Sequence, residues 1–189
     1  MSTNHIPSGF WWEREDLGYR KGRLFLGDQD LLDLVESAGT PLYAYNAARV
    51  IAGHARAHNV EVHVEPGDYL VKDAAVLILQ VNTVEEKGGT KFVGVNGGFN
   101  IQNLAVYYDT PFIAVPLIVD MAAAREKVTI AGNINEVIDL LAEGVVLPPV
   151  REGDYLGFLN VGGYGAASSS NHCMRGTYSE YLLVDEQNP

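Results

Sequence analysis

Bulky apolar residues open the chain at Phe10, Trp11 and Trp12, and short patterned stretches follow. Arg23–Leu26 reads as a strand. Leu31, Leu32, Leu34, Val35 and Ala38 recur at helical spacing, with Asp28 placed as the N-cap and Gly39 as the stop. Residues 41–45 form the next strand, and 47–57, rich in alanine and arginine, a second helix. After His58 the period changes. Residues 60–64 alternate apolar and polar, and 69–71, 75–84 and 91–95 read as strands. Glu86-Lys87-Gly88-Gly89-Thr90 joins the last two as a hairpin. Residues 112–119, 127–131, 155–159 and 180–184 continue the pattern, and 136–141 interrupts it as a short helix. Short strands with no repeat and no βαβ alternation predict a mainly β fold. It is a closed or nearly closed antiparallel β-barrel with a few short helices near its N-terminal end. A chain of 189 residues supports one core, so residues 1–189 are expected to form a single β-barrel domain. Residues 1–58 supply its N-terminal strands and helices, and 59–189 the main barrel strands.

Charge and cysteine content narrow the class. The formal net charge is −11, which repels phosphate backbones and anionic lipid, so neither nucleic acid nor a membrane surface is an expected partner. One cysteine, Cys173, allows no intrachain disulfide and fits a reducing compartment. Residues 1–9 are polar and carry no apolar signal core, and runs such as 74–79 and 112–119 are too short for a bilayer. The expectation is a soluble, cytoplasmic protein. His54 and His58 share the i,i+4 spacing of helical zinc sites, with His63 close by. No Glu follows His54, and spacing suggests no acidic ligand, so no metal is expected.

Several segments resemble one family in order along the chain. They are Phe10-Trp11-Trp12-Glu13-Arg14, Gly22-Arg23-Leu24 and Gly39-Thr40-Pro41-Leu42-Tyr43-Ala44-Tyr45, then Glu65-Pro66-Gly67-Asp68-Tyr69. They continue with Phe92-Val93-Gly94-Val95-Asn96-Gly97-Gly98-Phe99-Asn100, then Ala131-Gly132-Asn133-Ile134-Asn135-Glu136-Val137-Ile138-Asp139 and Gly163-Tyr164-Gly165. Together they are similar to the fold-type III pyridoxal-phosphate decarboxylases, the diaminopimelate and ornithine decarboxylase group. The resemblance implies that family's β-barrel domain, like the C-terminal domain of alanine racemase. It also implies a missing piece. The family's (β/α)₈ barrel, which takes roughly 200–250 residues, would have to fit between residues 54 and 64. That barrel holds the Schiff-base lysine and the phosphate loops, so pyridoxal chemistry is not expected of this chain alone, and no cofactor is.

Single positions depart in the same direction. Glu65 matches the carboxylate that partners the pyridine nitrogen. Asp68 stands where the family has an arginine facing phosphate or carboxylate, which reverses the preferred charge. Asn135 stands where the family has its catalytic cysteine. Glu136, Asp139 and Tyr164 match residues near substrate and phosphate. Glu136 and Asp139, spaced by three on a short helix, would share a face and with Asp68 make an acidic wall of usable general acids. A solvated helix face is the plainer reading of the same spacing. Tyr164 lies in a glycine turn that lets backbone approach a ligand. His172 could be a base and Cys173 a nucleophile, but neighbours on a strand point apart, so His172 or Arg175 lining a pocket is the stronger reading.

The expected catalytic set is Glu136, Asp139, Tyr164 and His172, with Glu65, Asp68, Asn135, Cys173 and Arg175 binding substrate. The implied function is a decarboxylase-like β-barrel without pyridoxal chemistry. It would act on a small organic molecule by acid/base cyclisation, isomerisation or elimination, in a biosynthetic pathway. The alternative is a non-catalytic partner of a full-length decarboxylase homologue. The surface bared by the missing barrel implies a homodimer or such a complex.

Overall fold

A computed structural model describes residues 10, 12–46, 67–108, 110, 112–176 and 178–184. The expected helix at 47–57, the strand at 60–64, Trp11, the three histidines 54, 58 and 63, and Glu65 lie outside the described residues. The elements are β1 (Leu17–Arg20), β2 (Arg23–Leu26), β3 (Gln29–Asp30), α1 (Leu31–Ala38), β4 (Leu42–Asn46), β5 (Ala75–Lys87) and β6 (Thr90–Val95). They continue with α2 (Leu104–Tyr108), β7 (Ile113–Pro116), β8 (Glu126–Ala131), β9 (Leu140–Leu147), β10 (Tyr155–Leu159) and β11 (Ser179–Leu183). Short 3₁₀ turns cover Lys72–Ala74, Ala166–Ser168 and His172–Met174.

β1, β2 and β3 make a small antiparallel sheet, and the other strands make an eight-stranded one ordered β11-β4-β5-β6-β8-β9, with β10 joining β5 to β7. β5 is the spine. Its first half pairs with β4 and β10 and its second half with β6, with a bulge between Val81 and Thr83 that turns the strand. The run Ala75-Val76-Leu77-Ile78-Leu79 is buried on both faces. Ala75, Leu77 and Leu79 enter the barrel core with Val93, Val95, Ile130 and Phe158. Val76 and Ile78 face outward under β1, β2 and α1, against Leu24, Leu31 and Leu117. A strand with two apolar neighbours has no polar alternation to show, and this is why its sequence reads as one continuous apolar stretch. Gly88 and Gly89, with φ of +57° and +78°, close the β5–β6 hairpin in the left-handed conformation that a two-residue turn needs.

The structure corrects five expectations. The sheet is mixed: β11 runs parallel to β4 and β6 parallel to β8. β6 reaches β8 only after α2 and β7, and such a crossover, unlike a hairpin, permits a parallel return. The N-cap of α1 is Asp30, whose carboxylate accepts from the amides of Leu32 (2.9 Å) and Asp33 (3.4 Å). Asp28 lies in the turn that lets β3 pair with β2 first. Residues 69–71 are a turn. Strand pairing in 112–119 stops at Pro116, beyond which Ile118 makes only an isolated bridge to Arg23. Finally, 136–141 is not a helix: bends and a turn lead into β9, whose Leu140 pairs with Ala131. β9 and β7 approach each other with no ladder between them, so the barrel stays open at that seam. No helix among the described residues is long and apolar enough to cross a membrane.

Candidate functional site

The loops leaving β6, β8 and β10 and the turn ahead of β5 meet at one end of the barrel. Asp139 holds the first two together. It is 2% exposed, and its carboxylate accepts from the amides of Phe99 (2.7 Å) and Ile134 (2.6 Å), while its own carbonyl accepts from Gly132 (2.9 Å). The room comes from glycine. A Cβ on Gly98 would lie 2.6 Å and 2.7 Å from the two carboxylate oxygens, and one on Gly132 would overlap them. Burial pushes the Asp139 carboxyl above its ordinary range, opposed by the two amides and by the charges of Arg175 and His172. Its oxygens face the interior of the loops, so the structure gives Asp139 a positioning place and leaves Glu136 exposed on the outer side of the turn. The expected shared helix face does not form.

Phe99, fixed by that amide bond, packs its ring among the candidate residues. Its ring lies 4.9 Å from the imidazole of His172 and 6.3 Å edge-on from Tyr107 of α2. His172 Nε2 stands 3.6 Å from Glu136 Oε1, an ion pair whenever the imidazole is protonated. Arg175 donates to the carbonyl of Asn133 (2.7 Å), and Asn133 donates to that of Asn96 (2.8 Å). The chain turns sharply at Cys173 and Met174, both with φ of +54° and both exposed, within the 3₁₀ turn His172–Met174. Asn135 is exposed beside Glu136.

Asp68 and Tyr164 make the other rim. Asp68 pairs with Lys72 at 2.8 Å. Gly162 donates to the carbonyl of Lys72 (2.9 Å), and a side chain there or at Gly163 would overlap Val71 or Asp68. These glycines therefore serve a close crossing of backbones. Tyr164 is half exposed at φ +57°, with its hydroxyl over Gly67. Ser168 ties this rim to the first by donating to the Tyr164 carbonyl, while its own carbonyl accepts from Asn103 (3.1 Å). Between the rims, Asn100 Oδ1, Gln102 Nε2 and Asn133 Oδ1 are buried without a protein partner. Such orphan atoms need water or a polar ligand.

The chain therefore brings Glu136, His172 and Arg175 together, puts Asp68 and Tyr164 opposite, and uses Asp139 and the glycines as framework. Among the described residues no histidine, cysteine and carboxylate group forms a metal cluster. Phe99, Asn133, Gly98 and Gly132 were not anticipated as site residues. The doublet Gly97-Gly98 between a strand and Phe99 was the available signal for a close approach.

Pyridoxal phosphate does not fit this set. Asp68, at the position where the resemblance implies an anion-binding arginine, is matched by Lys72, so the local charge is not a phosphate clamp. Lys21, Lys87, Lys91 and Lys127 sit at the β1–β2 turn, the β5–β6 turn and the starts of β6 and β8, at strand ends away from these loops. Lys87 and Lys91 are paired with Glu85 and Glu126.

Residues 42–162 match the family model described as pyridoxal-dependent decarboxylase, C-terminal sheet domain. The diaminopimelate decarboxylase of Methanothermobacter thermautotrophicus is 31% identical over 181 residues, covering 95% of this chain and 41% of the relative. That of Escherichia coli is 33% identical over 154 residues, covering 76% and 37%. The crystal structure of diaminopimelate decarboxylase from M. jannaschi superposes with a TM-score of 0.61 at 29% identity, over 66% of this chain and 28% of that one. The chain thus spans about two fifths or less of the length of these relatives.

Proposed function

Because the chain belongs to the pyridoxal-dependent decarboxylases, as their C-terminal sheet domain, we propose that it supplies one wall of a small-molecule site whose other wall is a second polypeptide surface of that family. One observation carries this reading: the polar loops are rimmed by bare apolar side chains. Val137 is 92% exposed, Met174 88% and Tyr69 82%, and Tyr107, Tyr108 and Tyr164 are all more than half exposed. Large apolar groups gathered around polar ones are the composition of a docking face with a ligand at its centre. The occupant we favour is a polypeptide carrying the portion of the family's chain that this one does not span. The relatives are more than twice as long, and their sheet domains match this one.

In that setting Glu136 would meet a substrate ammonium group and Arg175 a carboxylate, on an amino acid of the diaminopimelate kind that the relatives' names indicate. Tyr164 would add a hydroxyl from the opposite rim. Glu136 beside His172 favours a second reading, in which the chain performs pyridoxal-independent proton transfer itself: isomerisation, elimination or cyclisation with one group as acid and the other as base.

The test is analytical ultracentrifugation of the chain alone and mixed with a full-length diaminopimelate decarboxylase from the same source. A mixed complex weakened by the double substitution Tyr107→Ser, Tyr108→Ser supports the proposal. A dimer of this chain alone, or two species that sediment independently, overturns it.

A further inference from the structure

We propose that the open seam of the barrel is a second binding site, for a small aromatic carboxylate. The inference stands apart from the loop end and does not depend on its function. β7 and β9 lie side by side without pairing, and the space between them is a cleft of about 210 Å³. Its floor is apolar: Phe112 to Pro116 on one side and Val145 to Pro148 on the other. Aromatic rings from the N-terminal segment form its wall. Phe10 stacks on Trp12 at 5.5 Å, and both meet Tyr19 at 5.7 Å. Tyr19 is fixed because its hydroxyl donates to the carbonyl of Pro116 and its amide to Glu13 Oε1 (2.8 Å).

Arg125 gives the cleft its chemistry. Its guanidinium lies 4.3 Å over the Phe10 ring, and it makes no ion pair among the described residues. A cation unmatched among the described residues and set beside stacked rings is unexpected in a chain of net charge −11. The arrangement offers a flat apolar slot with a positive group at its edge, and leaves the planar fork of the guanidinium open to a carboxylate. A ring entering the slot would gain apolar contact with Val115 and Val145 and edge or face contact with Trp12. The bound molecule would also bridge two strands that no hydrogen bonds join, so binding is expected to stabilise the fold.

Phenylacetate is the probe, with neutral phenylacetamide as the control. Tryptophan fluorescence and the melting temperature report binding, because a ligand taken by the native state alone raises the latter with concentration. The expected result is saturable binding of phenylacetate on the order of millimolar, the range open to a ligand of about ten heavy atoms. Arg125→Gln should weaken it roughly tenfold to a hundredfold and erase the preference over phenylacetamide. Val146→Phe, at an exposed lining position, should block the slot and abolish binding while Arg125 remains. Equal binding of both probes, no saturation in the unsubstituted chain, or unchanged affinity in Arg125→Gln each overturns the proposal.

Discussion

Replacing Asp139 with alanine removes the acceptor of two backbone amides, those of Phe99 and Ile134, in a place water does not reach. A buried donor left without a partner costs about 1–3 kcal/mol, so two cost roughly 2–6 kcal/mol. Part of this is offset, because burial already works against the native carboxylate and alanine has no charge to bury. The net loss is expected near the middle, about 2–4 kcal/mol, which is a large share of the roughly 5–15 kcal/mol that holds a domain folded. Urea denaturation followed by circular dichroism measures it, with a corresponding fall in melting temperature of roughly 5–15 °C. Asp139→Asn isolates the charge. The folded carboxyl sits above its ordinary value, so the native state holds the proton more tightly than the unfolded chain does. Below the unfolded value of about 3.9 both states are protonated. As pH rises through the window up to the folded value, the unfolded chain loses its proton first and native stability falls. The advantage of aspartate over asparagine should therefore shrink as pH rises above about 4. A loss below about 1 kcal/mol in the alanine variant would refute the framework role. An advantage that grows with pH would show that the amide bonds outweigh burial.

Gly132→Ala places a Cβ on the same carboxylate, and should cost about 1–3 kcal/mol in the same urea assay, as other overpacked sites do. Glu136→Gln changes an exposed group, so stability should stay within about 0.5 kcal/mol while ligand binding or turnover at the loop end falls. The paired Tyr107→Ser and Tyr108→Ser substitutions should leave the melting temperature nearly unchanged and weaken partner binding roughly tenfold or more, since truncated interface aromatics commonly cost above about 1 kcal/mol each.

Local signals were legible where one local rule decides the structure. The apolar run of β5, the helical spacing of α1 and the glycine pair of the β5–β6 turn each produced the element expected. β9 was hidden because Gly144, at φ +63°, and the register shift in its pairing with β8 break the alternation a strand should show. The i,i+3 spacing of Glu136 and Asp139 suggested a helix, yet the amides of Phe99 and Ile134 drew the Asp139 carboxylate inward and fixed a turn. Phe99 lies 40 positions away in the chain, and no local pattern announces such a partner. The candidate residues Glu136, His172 and Arg175 were legible by type and by resemblance. Their grouping depends on the sharp turns at Cys173 and Met174, a left-handed conformation that neither residue type signals. Phe10 and Trp12, the bulky residues that open the chain, carry no local signal of what they pack against. They pack on the domain, at a seam between strands too distant in sequence to be paired by inspection.

Amide hydrogen exchange on this chain, free and with a full-length diaminopimelate decarboxylase from the same source, tests the central claim most directly. The account predicts added protection in 97–108, 133–139 and 164–176 and none at the β5–β6 hairpin on the opposite end. Protection that falls elsewhere, or no change at all, would contradict it.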